Sequence, residues 1–230
     1  MYLLFDFWRT IIDPPEDLDQ YYLFRVKRIL EVEGVSNEEQ ISKAFHIYTG
    51  IFKVLDARRR SEGVEIPGQL EVELLLKCIG VDEIREEHML AYASPMLELT
   101  RVKPFVRETL NQLRNEGYKM AIVSNTPYHP MVEAKLRREN LLDYFDAIVS
   151  SHRVGLRKPL SRIFMHAVEL LGGNINEAIM IGDSPYEDIM GAKRLGMKAI
   201  WVFKENEKIH PPADAVIKRF SELITVLKVI

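Results

Sequence analysis

The chain has 230 residues, the length of one domain or of one domain carrying a sizeable insert, and its 47% hydrophobic and 28% charged content excludes intrinsic disorder. Its 31 lysines and arginines against 34 acids leave a net charge of −3, so neither nucleic acid nor a membrane surface is an expected partner. The one cysteine, Cys78, forms no internal disulfide, no Cys/His spacing resembles a zinc site, and Met1 to Trp8 lacks a signal-peptide pattern, which together point to a cytoplasmic setting.

The opening MYLLFDFW is an apolar run broken by Asp6 and followed by the turn-like Asp13-Pro14-Pro15, which predicts a buried strand over about 2 to 6. Four helical patterns follow without a strand, at about 16 to 33, 37 to 61, 68 to 79 and 82 to 98. Ser36 and Glu39 stand at capping-box spacing before the second, and Pro67-Gly68 precedes the third. From Pro104 the pattern alternates: helix 104 to 116, strand 119 to 123, helix 130 to 139, strand 146 to 150, helix 160 to 171 and strand 178 to 182. Helix 186 to 195, strand 198 to 203, a short strand near 214 to 217 and a helix from Ser221 complete the series.

The strands MAIVS, DAIVS, AIMIG and KAIWV are apolar throughout, as a parallel sheet covered on both faces requires. The fold class is therefore α/β, a doubly wound parallel sheet, with an inserted all-helical block. Residues 1–13 and 100–230 form the expected α/β core and 14–99 the helical insert. The charged run Lys204 to Lys208 reads as a solvated loop.

Ligands of an open parallel sheet bind at the carboxyl ends of its strands. There the sequence places Asp6 and Thr10 after strand one, Ser124-Asn125-Thr126 after strand two, and Gly182-Asp183-Ser184 with Asp188 after strand four. Lys158 opens the helix between strands three and four. Acids for a magnesium ion, a cation and a hydroxyl for phosphoryl oxygens, and Asp6 as nucleophile make a set suited to phosphoryl transfer onto a carboxylate.

In this order and spacing, Asp6 to Thr10, Ser124, Lys158-Pro159 and GDSPYEDIMGAKRLGM from Gly182 to Met197 resemble the four motifs of the haloacid dehalogenase (HAD) superfamily. The resemblance implies a Rossmann-like sheet in the order 5-4-1-2-3 and a mobile helical cap of type 1 between the first and second motifs. It implies Asp6, Thr10, Ser124 and Lys158 as catalytic residues, with Ser124, Asn125 and Lys158 contacting substrate. Mg²⁺ would be held by Asp6, the Trp8 backbone carbonyl, Asp183 and Asp188. The expected activity is Mg²⁺-dependent hydrolysis of a small phosphorylated metabolite through an aspartyl-phosphate on Asp6.

Two positions depart from the family's phosphatase pattern Asp-x-Asp-Gly-Thr. Trp8 replaces the second aspartate, which in the family protonates the leaving group and then activates water. Arg9 replaces the glycine and bears on the turn geometry. An aromatic residue at the Trp8 position is also found in the superfamily's 2-haloacid dehalogenases. Those resemble Ser-x-Asn where this chain has Gly182-Asp183-Ser184, and carry a cap arginine near the position of Asn37, to which Arg25 and Arg28 are poor matches. A catalytically silent ligand-binding member is a third reading.

Several residues have two readings. Asp188 is a metal ligand or supports one from outside, and Trp8 is a wall facing the cap or a core anchor. Glu187 or a cap residue is an alternative acid. His129 reads as a surface histidine, Cys78 as packing on an apolar helix face, and the Tyr21, Tyr22, Phe24 and Phe45, Tyr48, Phe52 groups as cap core.

Overall fold

Side chains alternate along each strand, and that alternation decides which layer each residue enters. In the computed structural model, which describes residues 1–203 and 210–230, β1 (Tyr2–Phe5) is followed by the short β2 (Ile12–Asp13), then by α1 (Leu18–Val32), α2 (Glu38–Glu62), α3 (Gly68–Cys78) and α4 (Glu86–Glu98), then by β3 (Arg101–Val102). Beyond it come α5 (Val106–Asn115), β4 (Lys119–Ser124), α6 (His129–Arg138), β5 (Ala147–Ser150), α7 (Ser151–Val154) and α8 (Ser161–Leu170). The chain continues through β6 (Ala178–Gly182), α9 (Gly191–Lys193), β7 (Lys198–Val202), β8 (Ala215–Ile217) and α10 (Leu223–Val226). The Lys204 to Lys208 run lies outside the described residues.

Six strands form one parallel sheet in the order β5-β4-β1-β6-β7-β8. Counted along the sheet-forming strands, this is the 5-4-1-2-3 order with a sixth strand outside the fifth. Leu3, Phe5, Met120, Ile122, Ile179, Ile181, Ile200 and Val202 enter one core layer with Leu110 and Leu113 of α5 and Val132 and Leu136 of α6. Their neighbours Leu4, Ala121, Val123, Met180, Ala199 and Trp201 enter the other, with Ile163, Phe164 and Ala167 of α8. Both faces of the sheet are covered, hence the unbroken apolar strands.

The helical block joins the sheet through a two-stranded antiparallel ribbon that the sequence reading did not contain. Ile12 pairs with Val102 and Asp13 with Arg101, and Lys103 Nζ meets Asp13 Oδ1 at 2.8 Å. The ribbon sits where the chain leaves the sheet for the helices and where it returns.

Three local expectations are corrected. The second helix is capped by Asn37 instead of a Ser36–Glu39 box: Asn37 Oδ1 accepts from the Glu39 and Gln40 amides at 2.9 and 3.1 Å, since Asn37 and not Ser36 immediately precedes the first helical residue. The fourth helix starts at Glu86, not 82, because the ring of buried His88 accepts the Arg85 N–H at 3.0 Å and fixes the first turn there. Cys78 is exposed, since it lies at the last position of α3, past the stripe of Val72, Leu75 and Leu76.

Candidate active site

Asp6 follows the last paired residue of β1. Its N–H donates to Ile181 O at 2.9 Å, which continues the ladder to β6 by one bond and places the side chain between β4 and β6. Successive connections leave β1 in opposite directions at this point, and such a divergence opens a crevice at the strand ends. The Asp6 carboxylate is buried; Oδ1 accepts from Lys158 Nζ at 2.7 Å, and Oδ2 has no hydrogen-bond partner among the described residues.

Lys158 reaches this point from the loop before α8. Its ammonium also donates to Val123 O at 2.7 Å and lies 2.7 Å from Asp188 Oδ1. The Lys158 backbone is clamped by Asn125, whose Oδ1 accepts the Lys158 N–H at 2.8 Å and whose Nδ2 donates to Lys158 O at 3.0 Å. Asn125 was expected to contact substrate. It positions Lys158 and also lines the cavity. Ser124 ends β4, and its buried side chain borders the same cavity. Thr10 is fully buried with its hydroxyl beside the Asp6 carboxylate.

Asp183 and Asp188 come from the segment after β6, which the sequence reads as the start of a regular helix from 186. The structure corrects this: Pro185–Met190 winds more widely, with Asp188 N and Ile189 N both donating to Ser184 O at 3.1 and 3.2 Å. The wide turn, capped by Ser184 Oγ on Glu187 N at 3.1 Å, points Asp188 back into the site, where its Oδ2 accepts from Ser184 N at 2.9 Å. Gly182 is required here, because a Cβ on it would lie 2.3 Å from Asp188 Oδ2. The indole of Trp201 on β7 donates to Asp183 O at 3.0 Å and anchors the loop from behind.

Carboxylate oxygens of Asp6, Asp183 and Asp188 lie within 4.8 Å of one another. Burial, reinforced by repulsion from Asp183, pushes the Asp6 carboxyl up to about 6, although the Lys158 ammonium opposes this. Burial also holds the Asp188 carboxyl well above its ordinary range, with Lys158 again opposing and the two other acids adding to the rise. The orphaned Asp6 oxygen and the all-oxygen donor set fit a hard divalent cation such as Mg²⁺.

Above these residues a cavity of about 420 Å³ separates the sheet from the helical block. Its upper wall includes Trp8, Tyr21, Tyr22, Phe52, Tyr92 and Met96. Trp8 is a cavity wall, half-buried and packed edge-on against Tyr21 with ring centroids 5.3 Å apart. The aromatic groups read as cap core thus divide: Tyr48 is internal, whereas Tyr21, Tyr22 and Phe52 face the cavity as well as packing on one another. The reason is their place on α1 and α2, at the edge of the block that turns toward the sheet. Arg9 takes the left-handed backbone that a glycine would, with φ 65° and its N–H on Ile12 O at 2.7 Å, so the turn is kept at a cost of about 1–2 kcal/mol.

A buried polar network beneath this wall escaped the sequence reading. Glu71 accepts from Tyr48 and Tyr92 at 2.7 and 3.1 Å and pairs with Arg59 at 2.7 Å. Arg59 also meets Glu65 at 3.0 Å, and Glu65 pairs with Arg157 at 2.5 Å and accepts from Ser151, which ties the block to the core. Arg25 donates to Tyr92 O and Tyr48 Oη, both at 2.9 Å. The one signal was Glu71 inside the apolar run LEVELLL. His129, expected at the surface, is buried; its Nδ1 lies 2.9 Å from Ser150 Oγ, and burial lowers its pKa. It opens α6, whose first turn packs on the end of β5.

Residues 3–202 match the family model of the haloacid dehalogenase-like hydrolases. The chain is 35% identical over 147 residues to the glyceraldehyde 3-phosphate phosphatase of Pyrococcus furiosus, covering 61% of this chain and 60% of that protein. The corresponding enzyme of Methanothermobacter thermautotrophicus is 36% identical over 51% of each chain. The chain therefore spans about half to three-fifths of the length of these curated relatives. The phosphoglycolate phosphatase of Aquifex aeolicus is 32% identical over 68% of this chain and 75% of its own. Among solved structures, the HAD phosphatase of Thermococcus onnurineus superposes with a TM-score of 0.69 at 28% identity, over 98% of this chain and 97% of that one. A 2-haloacid dehalogenase of Pseudomonas syringae shares the fold at 20% identity, over 99% of both chains, with a TM-score of 0.64. No helix among the described residues is long and apolar enough to cross a membrane.

Proposed function

The chain belongs to the haloacid dehalogenase-like hydrolase family, and from that premise we propose that it hydrolyses a small phosphorylated metabolite through an aspartyl-phosphate on Asp6. The observation that carries the reading is the state of Asp6: buried at the mouth of the crevice, one oxygen on Lys158 and the other without a hydrogen-bond partner among the described residues. The free oxygen attacks phosphorus. Lys158, locked by Asn125, Val123 O and the two acids, orients Asp6 and offsets charge at the reacting centre. Ser124 and Thr10, at the adjoining strand ends, serve the phosphoryl oxygens. Asp6, Asp183, Asp188 and the Trp8 carbonyl would hold Mg²⁺, which when bound screens the negative carboxylate from the negative phosphate.

The names of the curated relatives, all phosphatases among those given above, support this reading over dehalogenation. The acid cluster supports it too, because it suits a metal and would repel a carboxylate substrate that needs none. A cytoplasmic setting goes with a metabolite substrate. Trp8 supplies no proton to the leaving group and activates no water, so breakdown of the aspartyl-phosphate is slow and the phosphoenzyme accumulates. The test is acid quenching with a ³²P-labelled phosphate ester in the presence of Mg²⁺. The unaltered protein is expected to carry acid-stable label and to release phosphate, and Asp6→Asn to do neither. A protein that binds Mg²⁺ and phosphate yet gains no label and releases none would be the silent ligand-binding member.

A further inference from the structure

Resting on the phosphatase reading, we propose that the substrate is the phosphate ester of an aromatic hydroxyl, whose ring packs on the wall of the helical block and whose oxygen departs as an anion. Two independent observations converge on this class.

The first is the absence of a proton donor. Five carboxylates line the cavity among the described residues. Asp6, Asp183 and Asp188 form the acid cluster. Asp56 accepts from Arg60 Nε at 2.7 Å, and Glu187 faces Arg60 Nη1 at 3.8 Å, so both are paired with a permanent cation. Lys158 is spent on Asp6, Val123 O and Asp188. The phenols of Tyr21 and Tyr22 are poor acids: burial raises both, Tyr22 to about 12. Trp8 stands where a carboxylate would otherwise reach the leaving oxygen. A leaving group that needs no proton is one whose own acidity is high. A phenol ionises near a pKa of about 10, as tyrosine does, far more readily than water or an alkyl alcohol.

The second is the shape of the wall. Tyr22 and Phe52 lie 4.7 Å apart between centroids, and Trp8 and Tyr21 meet edge-on at 5.3 Å. These four rings line the same cavity as the acid cluster. A cavity of about 420 Å³ has room for a single-ring ester. Ring-on-ring contact favours a flat aromatic group over a hydroxylated chain.

The step balances without an added reagent. An Asp6 oxygen forms a bond to phosphorus as the bond from phosphorus to the aryl oxygen breaks, and the electron pair leaves with the aryl oxide. Water then adds to phosphorus, which restores the Asp6 carboxylate and releases inorganic phosphate and a proton. The aryl oxide takes up that proton in solution. This class differs from the alkyl esters in the names of the curated relatives.

The test compares phenyl phosphate, ring-substituted phenyl phosphates and glycerol 3-phosphate with the full chain and Mg²⁺. The expected result is a kcat/KM at least 100-fold higher for the aryl esters, rising with the acidity of the phenol. Phe52→Leu, which keeps most of the packing volume, is expected to raise KM for phenyl phosphate more than for glycerol 3-phosphate. Aryl and alkyl rates within tenfold, or an equal KM effect on both, would overturn the proposal. If neither ester is hydrolysed, it is the phosphatase reading that fails, and binding decides the inference alone. Phenylphosphonate quenching tryptophan fluorescence at a tenfold lower concentration than methylphosphonate would sustain the aromatic wall; equal binding would remove it.

Discussion

The two halves of the cavity are built on opposite electrostatic plans. The sheet half gathers the carboxylates of Asp6, Asp183 and Asp188 within 4.8 Å of one another, with the Lys158 ammonium on Asp6 and Asp188. In the helical half, Arg25, Arg59 and Arg60 each meet acceptors of the protein itself, on Tyr48 and Tyr92, on Glu65 and Glu71, and on Asp56. Buried acids crowded together are costly unless something positive binds among them, whereas a paired site is complete as it stands. The difference teaches that charge recognition and chemistry belong to the sheet, and that the helices contribute shape and apolar contact.

Putting an acid into the aromatic wall of the cavity breaks this division most severely. Trp8→Asp is expected to raise turnover of alkyl phosphates by about 10²–10⁴, with a much smaller change for phenyl phosphate, as measured by kcat for each ester. The balance of the helical half is tested next by Arg59→Met, which leaves Glu65 and Glu71 short of their shared partner. A loss of about 3–5 kcal/mol is expected, as when one member of a buried ion pair is removed, and a urea titration followed by circular dichroism reads it. The sheet half is probed more gently by Trp201→Phe. This substitution removes the 3.0 Å bond to Asp183 O but keeps the ring. A net hydrogen bond of about 0.5–1.5 kcal/mol corresponds to a roughly two- to tenfold weaker Mg²⁺ affinity, read by calorimetric titration. The smallest effect concerns the turn between the halves. Arg9→Gly relieves about 1–2 kcal/mol of left-handed strain and adds about 0.5–1 kcal/mol of chain entropy cost. Thermal unfolding should therefore show a gain of about 0.5–1 kcal/mol, and a lower melting temperature would mean that the arginine side chain contributes contacts of its own.

What was legible in the sequence follows from what repeats. Leu3, Leu4 and Phe5, and the apolar runs of β4, β6 and β7, read as doubly covered strands because each residue has a layer to enter whichever way it points. Asp6, Lys158, Asp183 and Asp188 were legible because strand ends are where a parallel sheet exposes polar groups, and the structure brings all four together. The ribbon was illegible: Ile12–Asp13 and Arg101–Val102 have two residues each, too few for any period. The clamp of Asn125 on the Lys158 backbone was illegible because its target lies 33 positions away. The Glu65–Arg157 pair spans 92 positions and leaves no local mark at either end. Composition records that a charge is present, but only the fold records which charge answers it.

The register of β1 also governs the order in which the molecule is able to assemble. Tyr2 pairs with Lys119 on one side and with Ala178 on the other, so the central strand has no neighbour until more than half of the chain has followed it. The intervening helices α1 to α4 pack largely on one another, and α1 against α4 closes that block by residue 98. During synthesis the helical block is therefore free to condense while β1, the central strand that pairs on both sides, still waits. Its apolar residues are exposed throughout that interval, which makes the first five positions the segment most in need of protection from wrong partners as the protein folds.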